Sequence, residues 1–388
     1  MYVRRSHIPI AFCLIGLLLT SGCGHPIKGT EPLNKPAENS STLLNSEITN
    51  AKFAFLDDKM VWIGLNFDDV NSPSTEIFSS SDQGQTWSTA QVNNYNILSM
   101  QFVDREHGWA IGDAQPQSVE KAYCILSTKN SGQSWTKQFE TLQTTRTSPC
   151  QIQFLNTQDG FARLNNDLFS TTDGGESWKK ICSMEDFMSV DFKDNKEGWA
   201  SNTDSILHTT DGGNIWKKEW SVPENMKKRL ELESSKVIIN SGFEGWALFS
   251  GEGTMSQAAK IILHRDQSGD WTVESGYYLA PPPFSGNPAP PETSDLFPIN
   301  NASAFLIAYT PSIYPVSVWK TDDQGKTWLA RVDQSKFPGI LFGNLVRVNF
   351  ENAQLGWAVI VNRSASKNII NIAKTEDEGK TWKVVLQK

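Results

Sequence analysis

Few residues of this 388-residue chain have the types and spacing that catalysis requires. None of its five histidines belongs to a nucleophile motif. No spacing of His, Cys, Asp and Glu is typical of metal ligands, so we expect neither a metal nor a cofactor. Two carboxylates from distant parts of the chain could still meet, as glycoside hydrolysis requires. Glycoside hydrolysis therefore stays among the functional hypotheses.

One cysteine is placed for lipid attachment. Two arginines near the N-terminus precede the apolar run Ile8–Leu19, which is shorter than the roughly 20 residues that span a bilayer. The following Thr20–Cys23 resembles a bacterial lipobox, with Thr20 where leucine is usual. Residues 1–22 are therefore predicted to be a lipoprotein signal peptide, with Cys23 lipidated at the outer side of the cell membrane. Ordinary secretory cleavage near the same place is the alternative.

The next segment, residues 23–50, is polar and contains several prolines, which predicts a disordered tether. Without the signal peptide, which carries two Arg and no acid, the net charge changes from −8 to −10. An acidic chain without basic clusters argues against binding to nucleic acid or docking on anionic lipid. We expect contact with the membrane only through the lipid.

Three cysteines remain after Cys13 and Cys23 are set aside: Cys124, Cys150 and Cys182. An exported protein permits disulfides, and three cysteines can form at most one. Three buried free thiols are the equally supported alternative.

The rest of the sequence positions turns and strands rather than reactive groups. Thr209–Trp216 reads TTDGGNIW. The Asp211 carboxylate can bond backbone N–H groups of its own turn, and Gly213 tolerates the positive φ that a tight turn needs. Trp216 then covers the turn with a large apolar face. This segment is predicted to be the tip of a β-hairpin.

The same motif occurs seven times, and its tryptophans lie 48, 43, 38, 55, 57 and 54 residues apart. The structural acid or amide of each copy is Asp82, Asn130, Asp173, Asp211, Asp266, Asp323 or Asp377. The fifth copy, His264–Trp271, is degraded because its glycine is displaced by one position. Several short strands per repeat of this length are typical of a propeller.

A second motif, Phe followed seven residues later by Trp, precedes each hairpin, as in Phe102 and Trp109. Two motifs alternating in one order predict an all-β fold. It is a seven-bladed β-propeller of four-stranded antiparallel blades over residues 51–388. Each blade has strands A to D, the second motif spans the A–B turn, and the hairpin is the C–D turn. In blade six, Pro298 replaces the Phe, so we expect a short or irregular A strand.

The hairpin resembles the Asp box of bacterial neuraminidase repeats. Its combination with the Phe and Gly-Trp-Ala motif is similar to the photosystem II stability/assembly factor-like family. The resemblance covers residues 51–388 and implies a non-catalytic binding scaffold or assembly factor with a protein partner. Because propellers with this motif have many functions, a glycan- or peptide-binding surface receptor is the second hypothesis. A sialidase-like glycoside hydrolase is the third hypothesis. The arginine signature of sialidases is absent, so an enzyme is not expected.

Loop lengths predict which face of the propeller binds. A–B and C–D turns are nearly constant, whereas the B–C and D–A loops, on the opposite face, carry the insertions. Loops that vary on a rigid scaffold often carry function. The candidate binding residues are the aromatic ones of these loops and one tryptophan outside the repeats: Tyr277, Tyr278, Phe284, Tyr309, Tyr314 and Trp220. The alternative is that these loops simply pack over their own blades.

Overall fold

The computed structural model describes residues 47–68, 73–114, 121–143, 150–230, 232–240, 243–251, 260–277, 284–285, 293–309, 316–331, 344–363 and 368–388. The predicted signal peptide, Cys23 and most of the predicted tether lie outside these residues. Within the described ranges, no helix has the length and apolar character needed to cross a membrane.

Twenty-nine strands and one helix are present in the described part of the chain. Blades one to three contain β1 (Glu47–Leu56), β2 (Met60–Asp68), β3 (Ser74–Ser80), β4 (Ser88–Asn93), β5 (Asn96–Phe102), β6 (Gly108–Asp113), β7 (Lys121–Thr128), β8 (Thr136–Gln143), β9 (Gln151–Phe154), β10 (Gly160–Leu164), β11 (Asp167–Thr171) and β12 (Lys179–Ser183). Blades four and five contain β13 (Ser189–Phe192), β14 (Gly198–Ser201), β15 (Ser205–Thr209), β16 (Lys217–Ser221), the helix α1 (Glu224–Leu230), β17 (Leu232–Ile239), β18 (Gly245–Gly251), β19 (Lys260–Arg265) and β20 (Trp271–Tyr277). Blades six and seven contain β21 (Phe284–Ser285), β22 (Thr293–Pro298), β23 (Ala304–Tyr309), β24 (Val316–Thr321), β25 (Trp328–Ala330), β26 (Asn344–Phe350), β27 (Gly356–Arg363), β28 (Asn368–Thr375) and β29 (Lys383–Gln387).

These strands form seven sheets, each a meander of four consecutive antiparallel strands, so the predicted seven-bladed propeller is confirmed. The first strand begins at Glu47, four residues before the predicted boundary. Blade six has one additional strand, β21, at its outer edge. The expectation of an irregular A strand in blade six was wrong, because Thr293–Pro298 pairs with β23 without a register shift. Pro298 ends this innermost strand, which has a ladder on one side only, so the missing N–H does not interrupt the pairing.

Stacked aromatic rings join neighbouring blades and explain the second motif. Trp62 on strand B of blade one stacks on Phe102 on strand A of blade two, with ring centroids 3.8 Å apart and an interplanar angle of 4°. The same stack recurs between Trp109 and Phe154 at 3.6 Å, Phe161 and Phe192 at 3.6 Å, and Phe305 and Phe350 at 3.7 Å. Large aromatic surfaces buried this way supply much of the packing energy between blades.

In blades two, three, four and seven, a glycine before the strand-B aromatic makes room for the phenylalanine of strand A. Gly108 pairs with Phe102, and a Cβ on this glycine would lie 2.5 Å from the ring of Phe102. Gly198 stands in the same relation to Phe192. The motif is therefore one packing unit. The phenylalanine of strand A lies against the glycine of strand B in its own blade and stacks on the strand-B aromatic of the preceding blade.

The Asp box forms the predicted hairpin lock. Thr209 Oγ1 donates to Asp211 Oδ1 at 2.8 Å and accepts from the Gly213 amide at 3.0 Å. Asp211 Oδ1 also accepts from the Ile215 amide at 2.9 Å. This hydrogen bond and that from Thr209 lower the pKa of Asp211, so the carboxylate stays ionised and keeps the turn closed.

The degraded box of blade five is supported by a neighbouring carboxylate. His264 has no hydroxyl at the position of Thr209, and Asp266 bonds only within its own turn. Glu219, on the outer strand of blade four, instead receives the Trp199 indole N–H at 2.9 Å, the Trp271 indole N–H at 2.8 Å and Arg265 Nη2 at 2.9 Å. This cluster joins blades four and five where one hairpin lock is incomplete.

The ring closes without exchange of strands, since every blade consists of consecutive strands. Blades seven and one meet through packing and side-chain bonds. Trp87 and Trp357 form an edge-to-face pair with centroids 5.8 Å apart, and Lys374 Nζ donates to the Gln83 carbonyl at 3.1 Å. An ion pair joins Lys388, which directly follows the last strand, to Glu76.

Alanine at Gly198 should destabilise the propeller, because its Cβ would overlap the Phe192 ring at 2.5 Å. Overpacking of this kind costs about 1–3 kcal/mol in the free energy of unfolding. The control is Gly64→Ala, on strand B of blade one, where the nearest atom is a Thr75 methyl at 3.2 Å. Denaturant melts should show a clearly larger loss for Gly198→Ala, and equal losses would contradict this account of the motif.

Glu351 makes the stability of the ring closure depend on pH. Burial first, and then repulsion from Asp58 and Asp57 of blade one, raise the pKa of Glu351 from its ordinary 4.5 to about 7. The folded state therefore favours the protonated acid, and this stabilisation is present below about pH 4.5 and lost as the pH rises through about 7. Relative to Glu351→Gln, the native chain should lose about 1–2 kcal/mol over this range, a value reduced for solvent screening.

Chemical denaturation at several pH values measures this difference. The matched control is Glu106→Gln, at an exposed glutamate in the A–B turn of blade two. If the native chain and Glu351→Gln keep a constant difference from pH 4.5 to about 7.5, the assignment is wrong.

Candidate functional site

The innermost strands of all seven blades surround a central channel with a cavity of about 570 Å³. Its charged lining residues, among those described, are four cations and two carboxylates: Lys52, Arg163, Lys236, Arg347, Asp191 and Asp295. The excess of positive charge contrasts with the net charge of −8 for the whole chain. The channel is therefore the part of the described molecule best suited to an anionic group.

On one side of the ring, polar channel residues bond to the backbone of the next blade. Ser99 Oγ accepts from the Ile152 amide at 3.1 Å, and Ser189 Oγ accepts from the Val237 amide at 2.8 Å. Gln151, on the blade between them, bonds the Val190 carbonyl. These three side chains lie three residues before the motif aromatic of their own strands. Each satisfies a backbone group that no neighbouring strand reaches.

A second layer, one residue before the motif aromatic, works in the same way. Gln153 Oε1 accepts from the Phe192 amide at 2.8 Å, and Asp191 Oδ2 accepts from the Ile239 amide at 2.7 Å. The next member of this layer is Ile238 of blade five. In the following blade, the position that corresponds to Phe192 and Ile239 is Pro298. Since proline has no N–H to bond, an apolar side chain suffices at this position.

On the other side of the ring, charged residues replace these neutral side chains. Lys236, Asp295, Arg347 and Lys52 occupy the same position, three residues before the motif aromatic or its equivalent, in blades five, six, seven and one. We call these four residues the charged arc. Lys236 Nζ lies 3.4 Å from Asp295 Oδ1, and Arg347 also bonds this carboxylate. One carboxylate thus faces two direct partners and the nearby Lys52.

Electrostatics at the charged arc favour an additional anion. Burial, followed by repulsion from Arg347, lowers the pKa of Lys52 to about 8. Attraction to Lys236 and Arg347 holds the pKa of Asp295 below its ordinary value despite burial. At neutral pH the arc therefore has a net positive charge. A ligand carboxylate would relieve the repulsion between Lys52 and Arg347.

Arg163 adds a buried guanidinium at the same level of the channel. It pairs in register with Gln151 and is only 1% exposed. Its Nη1 donates to the carbonyls of Phe187 and Asn165 at 2.7 and 3.3 Å, while its Nε has no hydrogen-bond partner among the described residues. Burial lowers the pKa of Arg163 to about 10, so the group remains charged at neutral pH. The guanidinium also lies 5.3 Å from the centroid of the Phe187 ring. A buried charge without an anionic partner is costly, and a bound anion would offset part of this cost.

Both carboxylates in the channel are occupied by protein partners. Asp191 accepts hydrogen bonds from Gln153 and from the Ile239 amide, and burial raises its pKa to about 6. Asp295 is held by Lys236 and Arg347. Within the described residues, no group of three or more His, Cys, Asp and Glu is arranged to hold a metal ion.

Most aromatic candidates from the loops lie outside the part of the chain that can be assessed. Tyr278 and Tyr314 are outside the described residues, and for Tyr277 and Tyr309 only the backbone is described, at the ends of β20 and β23. Phe284 belongs to β21 at the outer edge of blade six. The side chain of Trp220 packs against Phe249, with ring centroids 5.4 Å apart.

The Asp-box residues lie at the C–D turns, which a strand meander places on the face opposite the long loops. The channel residues were missed in the sequence. A usable signal was the position three residues before each motif aromatic or its equivalent (Ile239 in blade five and Pro298 in blade six). This position holds Ser, Gln or a charged residue in all seven blades. The three cysteines are free thiols. Cys124 and Cys150 are buried, and burial raises the pKa of both.

Comparison with known proteins gives a family match over part of the chain. The model of the family described as photosynthesis system II assembly factor YCF48 matches residues 128–227. The resemblance to photosystem II assembly factors is thus confirmed, and the matched segment covers the outer strand of blade two and all of blades three and four. No curated protein matches the chain.

Solved structures show the same fold at low identity. YCF48 bound to a D1 peptide is 18% identical, with a TM-score of 0.51, over 86% of this chain and 95% of that one. The GH74 xyloglucanase from Xanthomonas campestris is 10% identical, with a TM-score of 0.59, over 92% of this chain and 56% of that one. A GH74 enzyme from Niastella koreensis is 10% identical, with a TM-score of 0.52, over 88% and 66%. At these identities the likeness concerns the fold alone.

Proposed function

We propose that this protein is a non-catalytic scaffold or assembly factor, lipid-anchored outside the cytoplasmic membrane, that binds a segment of a membrane or cell-surface protein. The observation that carries the proposal is the cationic channel, with the charged arc and Arg163 at one level. This level lies toward the long-loop face, about 10 Å from the motif aromatics at roughly 3.3 Å per residue. An acidic side chain or a chain-terminal carboxylate of the partner would enter from that face.

The comparisons support a protein as the partner. A family of assembly factors matches residues 128–227, and the structure of YCF48 contains a D1 peptide. From these two comparisons we carry over to this protein only the class of ligand, a protein segment. A glycan remains the second candidate, since the GH74 neighbours share the fold.

The channel chemistry supports binding rather than hydrolysis. A retaining glycosidase needs two carboxyl groups about 5–5.5 Å apart, one to protonate the leaving group and one to attack the sugar. Asp191 accepts two hydrogen bonds from protein, and Asp295 is neutralised by Lys236 and Arg347. Neither is available as a nucleophile without breaking contacts between blades.

Lys52→Met tests this proposal. It removes positive charge from the charged arc and also relieves repulsion with Arg347, so the fold should be retained while partner binding falls about tenfold. Cross-linking in the native cells, with mass spectrometry of the product, measures the yield. Binding should also weaken above about pH 8, because Lys52 deprotonates there.

Two variants serve as controls for the charge and for the face. Lys179→Met removes an exposed lysine from the outer strand of blade three, and Asp211→Ala loosens an Asp box by about 0.5–1.5 kcal/mol. Both should keep normal cross-linking in their folded fraction. Loss of binding in Asp211→Ala with normal binding in Lys52→Met would place the working face on the Asp-box side.

The lipid anchor has a separate test. Cys23→Ala should release the protein from the membrane fraction or leave it unprocessed, because the acyl chains would have no attachment site. Fractionation of cells, with mass spectrometry of the mature N-terminus, gives the answer. An unmodified N-terminus at another residue would rule out lipidation.

A further inference from the structure

The second channel layer, one residue before the motif aromatic or its equivalent, changes around the ring. In blades two to four it consists of Gln101, Gln153 and Asp191, and each accepts a hydrogen bond from a backbone amide of the next blade. In blades five and six it consists of Ile238 and Phe297, and both line the cavity. Apolar side chains thus replace polar ones in this layer next to the charged arc.

The scaffold explains the apolar residue of blade five but not that of blade six. The residue that Ile238 would serve in the next blade is Pro298, which has no N–H. The residue that Phe297 would serve is Phe350, whose amide is the counterpart of the one that Gln153 accepts. A phenyl ring cannot accept this hydrogen bond, so Phe297 occupies a place where the scaffold favours an acceptor.

The Phe297 ring connects the apolar part of this layer with the charged arc. It is half-buried, packs in part against the core between blades six and seven, and lines the cavity. Lys236 Nζ of the arc lies 4.9 Å from the centroid of the ring. Asn349, the member of the layer in blade seven, also lines the cavity. An anion bound to the arc would therefore have an apolar surface close by.

The two layers have the spacing of side chains in an extended peptide. They are two residues apart on each A strand, which is about 6.6 Å at roughly 3.3 Å per residue, and such side chains lie on the same side of a strand. Two side chains at positions i and i+2 of an extended segment have the same separation. The cavity of about 570 Å³ is within the usual size range of ligand sites. One extended segment in the channel can therefore place a side chain at each layer.

We propose that the channel selects a partner segment that carries an acidic residue and an apolar residue two positions apart in an extended conformation. The carboxylate binds the charged arc, and the apolar side chain lies deeper, against Phe297 and Ile238. Charge complementarity favours the acid, whereas a purely polar ligand would leave the apolar pair in contact with water. The inference rests on the proposed function, which supplies a protein segment as the ligand, and adds which segment is bound.

Peptides with both ends blocked serve as probes, because blocked ends carry no charge. GSESLSG and GSLSESG contain the glutamate and the leucine in both orders, and the tighter of the two shows the direction of entry. Isothermal titration calorimetry should show it binding at least about tenfold more tightly than its two matched controls. One control has serine in place of the leucine. The other has the glutamate and the leucine adjacent, so that they face opposite sides of an extended chain.

Phe297→Gln gives blade six the side chain that blade three has at this position, so thermal melts should show that the fold is retained. The leucine probe should bind about tenfold more weakly to this variant, because its apolar contact is lost. The serine control should bind the variant and the native chain equally, which isolates the contact between Phe297 and the leucine. The matched control variant is Leu142→Gln, at a leucine that is 67% exposed on the outer strand of blade two. It should leave both affinities unaltered.

Equal affinity of the native chain for the leucine probe and the serine control would overturn the proposal. So would an equal loss for both peptides in Phe297→Gln, or no binding of either order at millimolar concentration. If Phe297→Gln does not fold, the comparison of peptides on the native chain decides alone. Cross-linking to the native partner is independent of these peptides. Dependence on Lys52 there, without dependence on the leucine here, would remove this inference and leave the proposed function standing.

Discussion

The structure depends on one packing arrangement, in which the strand-B aromatic of one blade stacks on the strand-A phenylalanine of the next. Trp62 and Phe102 show it with nearly parallel rings, at 3.8 Å and 4°. The stack needs a glycine opposite each phenylalanine, because a Cβ there would overlap the ring. It also places the Trp62 indole N–H on the Ser131 carbonyl of the next blade's Asp box at 3.0 Å. The Trp109 indole N–H bonds the Gly174 carbonyl in the same way, so core packing and hairpin geometry are coupled where the stacked strand-B residue is a tryptophan.

On the innermost strands, polar side chains bond backbone groups that no neighbouring strand reaches. Strands of adjacent blades do not pair along the channel, so their backbone groups need other partners. Ser99, Gln153 and Ser189 provide them by bonding amides of the following blade. These contacts fix each blade against the next without strand exchange. They also occupy much of the channel wall on that side.

Blades five, six, seven and one lack this neutral arrangement, and charged side chains line the channel there. The charged arc holds one carboxylate among several cations, and Arg163 adds a buried guanidinium at the same level. Such an arrangement costs stability unless an anion completes it. The location fits a rigid scaffold that presents charge inside a ring of variable loops.

The sequence by itself determined the fold, because each repeat contains its own turn chemistry and packing residues. Asp211 and Gly213 specify a hairpin locally, and Phe192 with Gly198 specifies the preceding turn, so blade number and strand order follow from the repeats. Only the tertiary structure decided which polar residues meet. Lys236 and Arg347 are each more than fifty residues from Asp295 in the sequence. Nothing in the local sequence indicates that both bond its carboxylate. The position of β21 was likewise hidden, since a two-residue parallel pairing has no sequence signal and depends on an edge that the folded blade supplies.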